Sequence, residues 1–174
     1  MEKPRLIEHK TYEDTRGVFC PSPLNMNYDN DLNKNWVQVN TSVSPDKFTI
    51  RGLHYQEKPF EQTKYLKVIY GKIKTMIICV DQTRDDFGEI FVFDVDRNQS
   101  VFVPRGYANG LITMEKNTVI QYFVDNPYSP KHEKSMLYSS VEYFDKMVNK
   151  LTKKPSISEK DLNGFLFSDL PIFK

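Results

Sequence analysis

The chain has 174 residues, 39% hydrophobic and 13% aromatic, which fits a single domain over 1–174 with a core of its own. Its 24 Lys and Arg balance 23 Asp and Glu at a net charge of +1, which argues against a general nucleic-acid or membrane-surface binder. No apolar run approaches the length of a bilayer-spanning helix, and the opening MEKPR lacks an apolar signal core, so a cytoplasmic protein is expected, with Cys20 and Cys79 reduced.

Along the chain, Asp14-Thr-Arg16-Gly-Val-Phe19 reads as a turn followed by a strand, and Pro21 to Pro23 as a loop. Residues 36–43 alternate apolar and polar, as a half-buried strand does. Residues 51–56 (RGLHYQ) form a further strand-like run. In a regular pleat Arg51 and His54 point to opposite faces, but a bulge at Gly52 brings both into one pocket. Residues 65–70 and 73–80 alternate again, with Gly71-Lys72 expected as a hairpin turn between them and Cys79 as core filler.

Strands are also expected over 90–95, 100–103 and 118–124, with turns at 85–88, 96–98 and 115–117. In 103–111, glycines flanking Ala108-Asn109 suggest close backbone approach at a pocket mouth. Residues 121–133 run from a strand into a Pro-punctuated loop, 141–148 suggest a short helix or turn, the basic run Lys150 to Lys154 lies by a loop expected after Leu151, and Ser158-Glu-Lys-Asp161 suggests a cap or a helical turn. Short strands at roughly 8–12-residue spacing indicate an all-β sandwich or barrel.

An arginine suited to a phosphate beside a histidine suited to a proton equips a site for chemistry on a nucleotide-linked substrate. Singly, the remaining candidates are ordinary: Tyr122 as a core or rim tyrosine, Asp161 as a helix-turn or capping carboxylate, Lys64 as a solvated strand lysine. Together they occur in a recognisable order: Arg16-Gly17, Arg51 to Gln56, Gln62-Thr-Lys64, Pro104 to Gly110, Tyr122 with Tyr128-Ser-Pro130 and Glu133, and Ser158 to Asp161. In this order the blocks resemble the dTDP-4-dehydrorhamnose 3,5-epimerase family over most of the chain. His9 and His132 match no catalytic position and read as ordinary surface histidines.

The resemblance implies a cupin-like jelly-roll barrel (a double-stranded β-helix) with short C-terminal helical segments, a homodimer, and neither metal nor other cofactor. It implies a nucleotide-diphosphate 4-keto-6-deoxy sugar as substrate, inverted at C3, C5 or both. The ketone acidifies the hydrogens beside it, because the carbanion delocalises onto oxygen as an enolate. By position, the resemblance makes His54 the base, Asp161 its orienting partner, Tyr122 the acid on the opposite face and Lys64 the charge stabiliser at the C4 oxygen. It places Arg16 and Arg51 at the diphosphate and Gln38, Asn40, Glu133 and Lys160 along the nucleotide or sugar. Phe19 and Tyr128 offer flat faces to the base or pyranose.

Two positions depart from the family pattern. Asn109 replaces a histidine, so it retains hydrogen bonding to the sugar but no acid–base role. Cys20-Pro21 stands where dTDP-specific members carry a glutamate near the nucleotide. These departures favour a GDP-4-keto-6-deoxy-heptose of capsule or O-antigen synthesis over dTDP-4-keto-6-deoxyglucose. A nucleotide-sugar 3,4-ketoisomerase and a non-catalytic sugar-nucleotide-binding cupin are the alternatives.

Overall fold

The computed structural model describes residues 1–21 and 35–171, so Pro23 of the expected loop lies outside the described residues. Strands β1 (Arg5–Glu8), β10 (Gln99–Val103), β6 (Lys64–Tyr70), β12 (Thr118–Val124) and β4 (Gln38–Ser44) form one antiparallel sheet in that order. The second sheet runs β13 (Glu133–Ser135), β5 (Ile50–Gln56), β11 (Tyr107–Thr113), β7 (Ile73–Cys79) and β8 (Ile90–Phe91), and β9 (Asp94–Val95) also pairs with β7. β2 (Tyr12–Asp14) and β3 (Gly17–Phe19) make a separate two-stranded hairpin. The all-β expectation holds, as two facing sheets rather than a closed barrel among the described residues.

From β4 to β7 every step along the chain crosses from one sheet to the other, and crossings resume after β9. Gly71-Lys72 is therefore not a hairpin turn: it carries the chain from β6 in the first sheet to β7 in the second. The turns at 96–98 and 115–117 also bridge the sheets. The expected strand over 90–95 is split. There the Thr75 side chain accepts from Phe93 N–H at 2.9 Å and Thr75 N–H donates to the Phe93 carbonyl at 2.9 Å, interrupting the ladder between β8 and β9.

Side-chain alternation sorts the strands into three layers. Leu66, Val68, Val101, Val103 and Ile120 of the first sheet meet Ile73, Ile77, Tyr107 and Leu111 of the second in the space between them. The other face of the second sheet presents Ile50, Leu53, Met76, Ile78 and Ile112, and the C-terminal segment covers it with Val141, Phe144 and Val148. Phe144 is fully buried, worth about 2–3 kcal/mol of apolar burial. This docking holds α1 (Glu142–Val148) and α2 (Glu159–Leu162), both too short to be stable alone. On the outside of the first sheet, Tyr65 and Phe102 pack with Ile7, Trp36 and Phe123.

His9 belongs to this outer layer and is not a free surface histidine. Its Nε2 lies 2.7 Å from Ser100 Oγ and 3.3 Å from the Tyr65 hydroxyl, and burial beside Lys67 pushes its pKa down to about 4. His132 is likewise engaged, with Nδ1 at 2.7 Å from Ser129 Oγ and its ring 4.6 Å from that of Phe60. Cys79 is buried, as expected.

Candidate active site

The site is built around an irregularity in β5. Opposite β11, Arg51 aligns with Leu111 and His54 with Asn109, so β5 spends one residue more than its partner between these pairs. Gly52 absorbs the extra residue at φ +100°, a region side chains rarely adopt. Ile50, Leu53 and Tyr55 thereby all face the helix-covered layer, while Arg51 and His54 line one cavity. The expected bulge is present and has the expected effect.

Asp161 sits behind His54. Ser158 caps α2, with its Oγ accepting from Asp161 N–H at 3.2 Å, a contact worth about 1 kcal/mol. The cap fixes the carboxylate under β5, where Asp161 is 4% exposed. Oδ1 lies 2.6 Å from His54 Nε2 and accepts from Ser135 Oγ at 3.3 Å, while Oδ2 accepts from Gly52 N–H at 3.1 Å. Burial pushes the carboxyl pKa up, but the hydrogen bonds from His54, Gly52 and Ser158 outweigh it and hold Asp161 below the usual range. An ionised carboxylate only accepts, so Nε2 of a neutral His54 carries the proton and Nδ1 the basic lone pair.

Lys64 on β6 and Tyr122 on β12 reach the same space from the opposite sheet. Lys64 Nζ donates to Asn109 Oδ1 at 2.8 Å and more loosely to the His54 carbonyl at 3.4 Å, and burial lowers its pKa to about 8. Burial raises the Tyr122 hydroxyl, partly offset by Arg51, so it stays protonated at neutral pH. His54, Lys64, Asn109 and Tyr122 line a cavity of about 360 Å³ with Arg51, Leu66, Leu111 and Ile120. Arg51 is held at its rim by bonds from Nε to Ser44 Oγ and from Nη2 to the Val43 carbonyl, both 3.1 Å.

A second space of about 270 Å³ shares His54, Lys64 and Tyr122 and adds Gln38, Asn40, Gln62, Tyr128 and Glu133. Gln38 organises it, donating to Asn40 Oδ1 at 2.7 Å and accepting from Tyr128 N–H at 3.1 Å. Glu133 accepts from the Tyr128 hydroxyl at 2.7 Å and pairs with Lys160. Burial raises Glu133, but Lys160 and Tyr128 together pull it below its ordinary pKa.

Most of the residues singled out from the sequence thus converge. Lys160 does so indirectly, through Glu133. Arg16 and Phe19 do not converge within one chain: they sit on the β2–β3 hairpin, where Arg16 is paired with Asp14 at 2.6 Å and Phe19 is 67% exposed. The hairpin joins neither main sheet, so nothing in the strand pairing carries these side chains to His54. Ser135, aligned with His54 across β13 and β5, was missed, since a lone serine carries no sequence signal. Gln56 belongs to the RGLHYQ block but works structurally, donating to the Phe60 and Pro127 carbonyls and accepting from Ser129 N–H.

Relatives match this chain along nearly its whole length. The family model described as dTDP-4-dehydrorhamnose 3,5-epimerase matches residues 1–169. The dTDP-4-dehydrorhamnose 3,5-epimerase of Shigella flexneri is 28% identical over 174 residues, covering 97% of this chain and 93% of that protein. The crystal structure of the Bacillus anthracis enzyme of that name, with TDP and PPi bound, superposes with a TM-score of 0.82 at 29% identity, covering 94% of this chain and 93% of the other. A dTDP-6-deoxy-D-glucose-3,5-epimerase of Legionella pneumophila in complex with dTDP-4-keto-L-rhamnose reaches a TM-score of 0.87 at 25% identity, covering 100% and 95%. With its family model spanning all but the last few residues, the chain belongs to the dTDP-4-dehydrorhamnose 3,5-epimerase family and is an isomerase.

Proposed function

We propose that this protein inverts C3, C5 or both in a dTDP-linked 4-keto-6-deoxy sugar, by proton removal and return through an enolate. The observation that carries the proposal is His54, on one sheet and oriented by Asp161 of α2, sharing a cavity with Tyr122 and buried Lys64 from the other sheet. His54 Nδ1 takes the proton from carbon beside the C4 carbonyl, and the C–H electron pair moves to make the enolate, with charge on the C4 oxygen. Asp161 stabilises the imidazolium, and Lys64 the enolate oxygen. The Tyr122 hydroxyl then protonates the carbon from the opposite face, and solvent restores the tyrosine proton and takes the one held by His54.

Within this proposal Arg51 receives the diphosphate, and Gln38, Asn40, Tyr128 and Glu133 line the remainder of the substrate. The ligands in the related structures favour dTDP over the GDP-heptose expected from Asn109 and Pro21, and the product serves surface-polysaccharide synthesis. Product NMR after incubation with dTDP-4-keto-6-deoxyglucose and with a GDP-linked 4-keto-6-deoxy sugar tests the reading. Inverted dTDP-sugar is expected; a shifted keto group identifies a ketoisomerase, and no turnover of either substrate refutes the proposal.

Lys64 must be charged to stabilise the enolate. Since its folded pKa is about 8, kcat/KM is expected to fall as pH rises through about 8, and below that Lys64, fully charged, adds no pH dependence. A pH–rate profile flat to pH 10 removes this role from Lys64.

We further propose a homodimer through the outside of the first sheet. There Val39, Phe123 and Tyr65 form one cross-strand row and Val43, Val119 and Tyr70 another. Val39, Val43 and Ile69 stand 50%, 59% and 46% exposed. Light scattering is expected to give twice the 20.5 kDa chain mass, and a Val39→Lys, Ile69→Lys variant to give the monomer mass.

A further inference from the structure

Asn109 meets Lys64 through its side chain and His54 through the strand ladder. It lies directly across from His54 in the β5–β11 ladder, and its Oδ1 takes the 2.8 Å bond from Lys64 Nζ. An ammonium has donors only, so the amide meets Lys64 with its oxygen and turns Nδ2 away from it. Among the described residues Nδ2 makes no hydrogen bond, and Asn109 lines the cavity that holds His54, Lys64 and Tyr122.

We infer that Asn109 positions Lys64 and supplies, through Nδ2, a second donor to the C4 oxygen, so that the enolate is received by a lysine–asparagine pair. This rests on the epimerase reading above and deepens it. Lys64 has no carboxylate at bonding distance among the described residues. The charged or titratable groups around it are His54 and Arg51 on β5, Tyr122 on β12 and Glu133 on β13, with Asp161 behind His54. The Asn109 carbonyl is therefore the main neutral contact that favours the charged ammonium against burial. An amide does so without titrating, leaving Lys64 to set the alkaline limit.

The test compares Asn109→Ala and Asn109→Asp with the unmodified chain in two measurements. One follows the Lys64 ¹³Cε resonance against pH without substrate. The other follows kcat for solvent-deuterium incorporation into dTDP-4-keto-6-deoxyglucose against pH. Asn109→Ala removes an acceptor and a donor: the Lys64 midpoint is expected below about 8, and kcat about 100-fold lower. Asn109→Asp keeps the shape and adds a negative charge. The midpoint is expected to rise by about 1 pH unit or more, while kcat stays low because a carboxylate cannot donate.

Unmoved Lys64 midpoints, with a drop in kcat uniform across pH, overturn the positioning role and leave a packing effect. An Asn109→Asp enzyme with unreduced kcat where Lys64 is charged overturns the second-donor role. If the unmodified chain exchanges no deuterium, the epimerase reading fails, and with it the donor role, whereas the ¹³C titration still decides the Asn109–Lys64 coupling.

Discussion

His54→Ala is expected to stop deuterium incorporation at every carbon beside the ketone, lowering kcat by about 10³-fold or more with the fold retained. The expectation follows from position. His54 is the one described histidine lining the cavity: His9 is locked against Ser100 and Tyr65, and His132 against Ser129 and Phe60. The fold is expected to survive because Asp161 keeps bonds from Gly52 N–H and Ser135 Oγ when the imidazole goes. Asp161→Asn should cost a similar factor by a different route. An amide turned to accept from Gly52 N–H presents donors to Nε2 and drives the imidazole proton to Nδ1, where the base is needed. Circular dichroism alongside single-turnover exchange checks both variants. Exchange within tenfold of the unmodified rate in His54→Ala rules out His54 as the base.

Gly52→Ala is expected to damage stability and chemistry together. A Cβ there meets the Asn109 carbonyl oxygen and the Gly110 Cα at 2.7 Å each, backbone atoms that cannot swing aside, at a φ of +100°. Strain and overlap of this kind cost about 3 kcal/mol or more, which for a chain of this size lowers Tm by about 10 °C. Relief requires β5 and β11 to separate where His54 pairs with Asn109, and a shift of about 1 Å in a reacting group costs roughly 100-fold in rate. Calorimetry and exchange kinetics on one preparation test this. Undiminished stability and rate mean that the bulge tolerates a side chain and does not set the His54 position.

The strands were legible wherever one face is apolar. The alternation in 36–43 marks a real strand because burial on one side enforces a period of two, and the runs at 65–70 and 73–80 mark strands because burial on both faces keeps them nearly continuously apolar. Sheet membership was not legible. A two-residue connection at Gly71-Lys72 is the ordinary length of a hairpin, and nothing local says that the chain crosses to the opposite sheet. β11 was read only as a pocket mouth, since Asn109 and Gly110 break its apolar pattern for the sake of the cavity and of close approach to β5.

The site shows the same division. The residue types around His54 were legible from their order along the chain, and the bulge from Gly52 itself. The pairing of His54 with Asp161 spans 107 residues and depends on a four-residue helix held by the Ser158 cap and the docked C-terminal segment. The Lys64–Asn109 bond joins opposite sheets across the cavity, so only the folded chain displays it. Arg16 and Phe19 fail to join the cavity for a complementary reason: sequence order shows that they exist, whereas their hairpin pairs only with itself.

The most direct measurement is proton NMR of dTDP-4-keto-6-deoxyglucose in D₂O with the unmodified protein. The resonance of at least one hydrogen beside the C4 ketone is expected to disappear at a rate that needs His54, as deuterium enters with inversion at that carbon. Retention of every such hydrogen while the nucleotide sugar is demonstrably bound contradicts an enolate mechanism and makes the cavity a binding site alone.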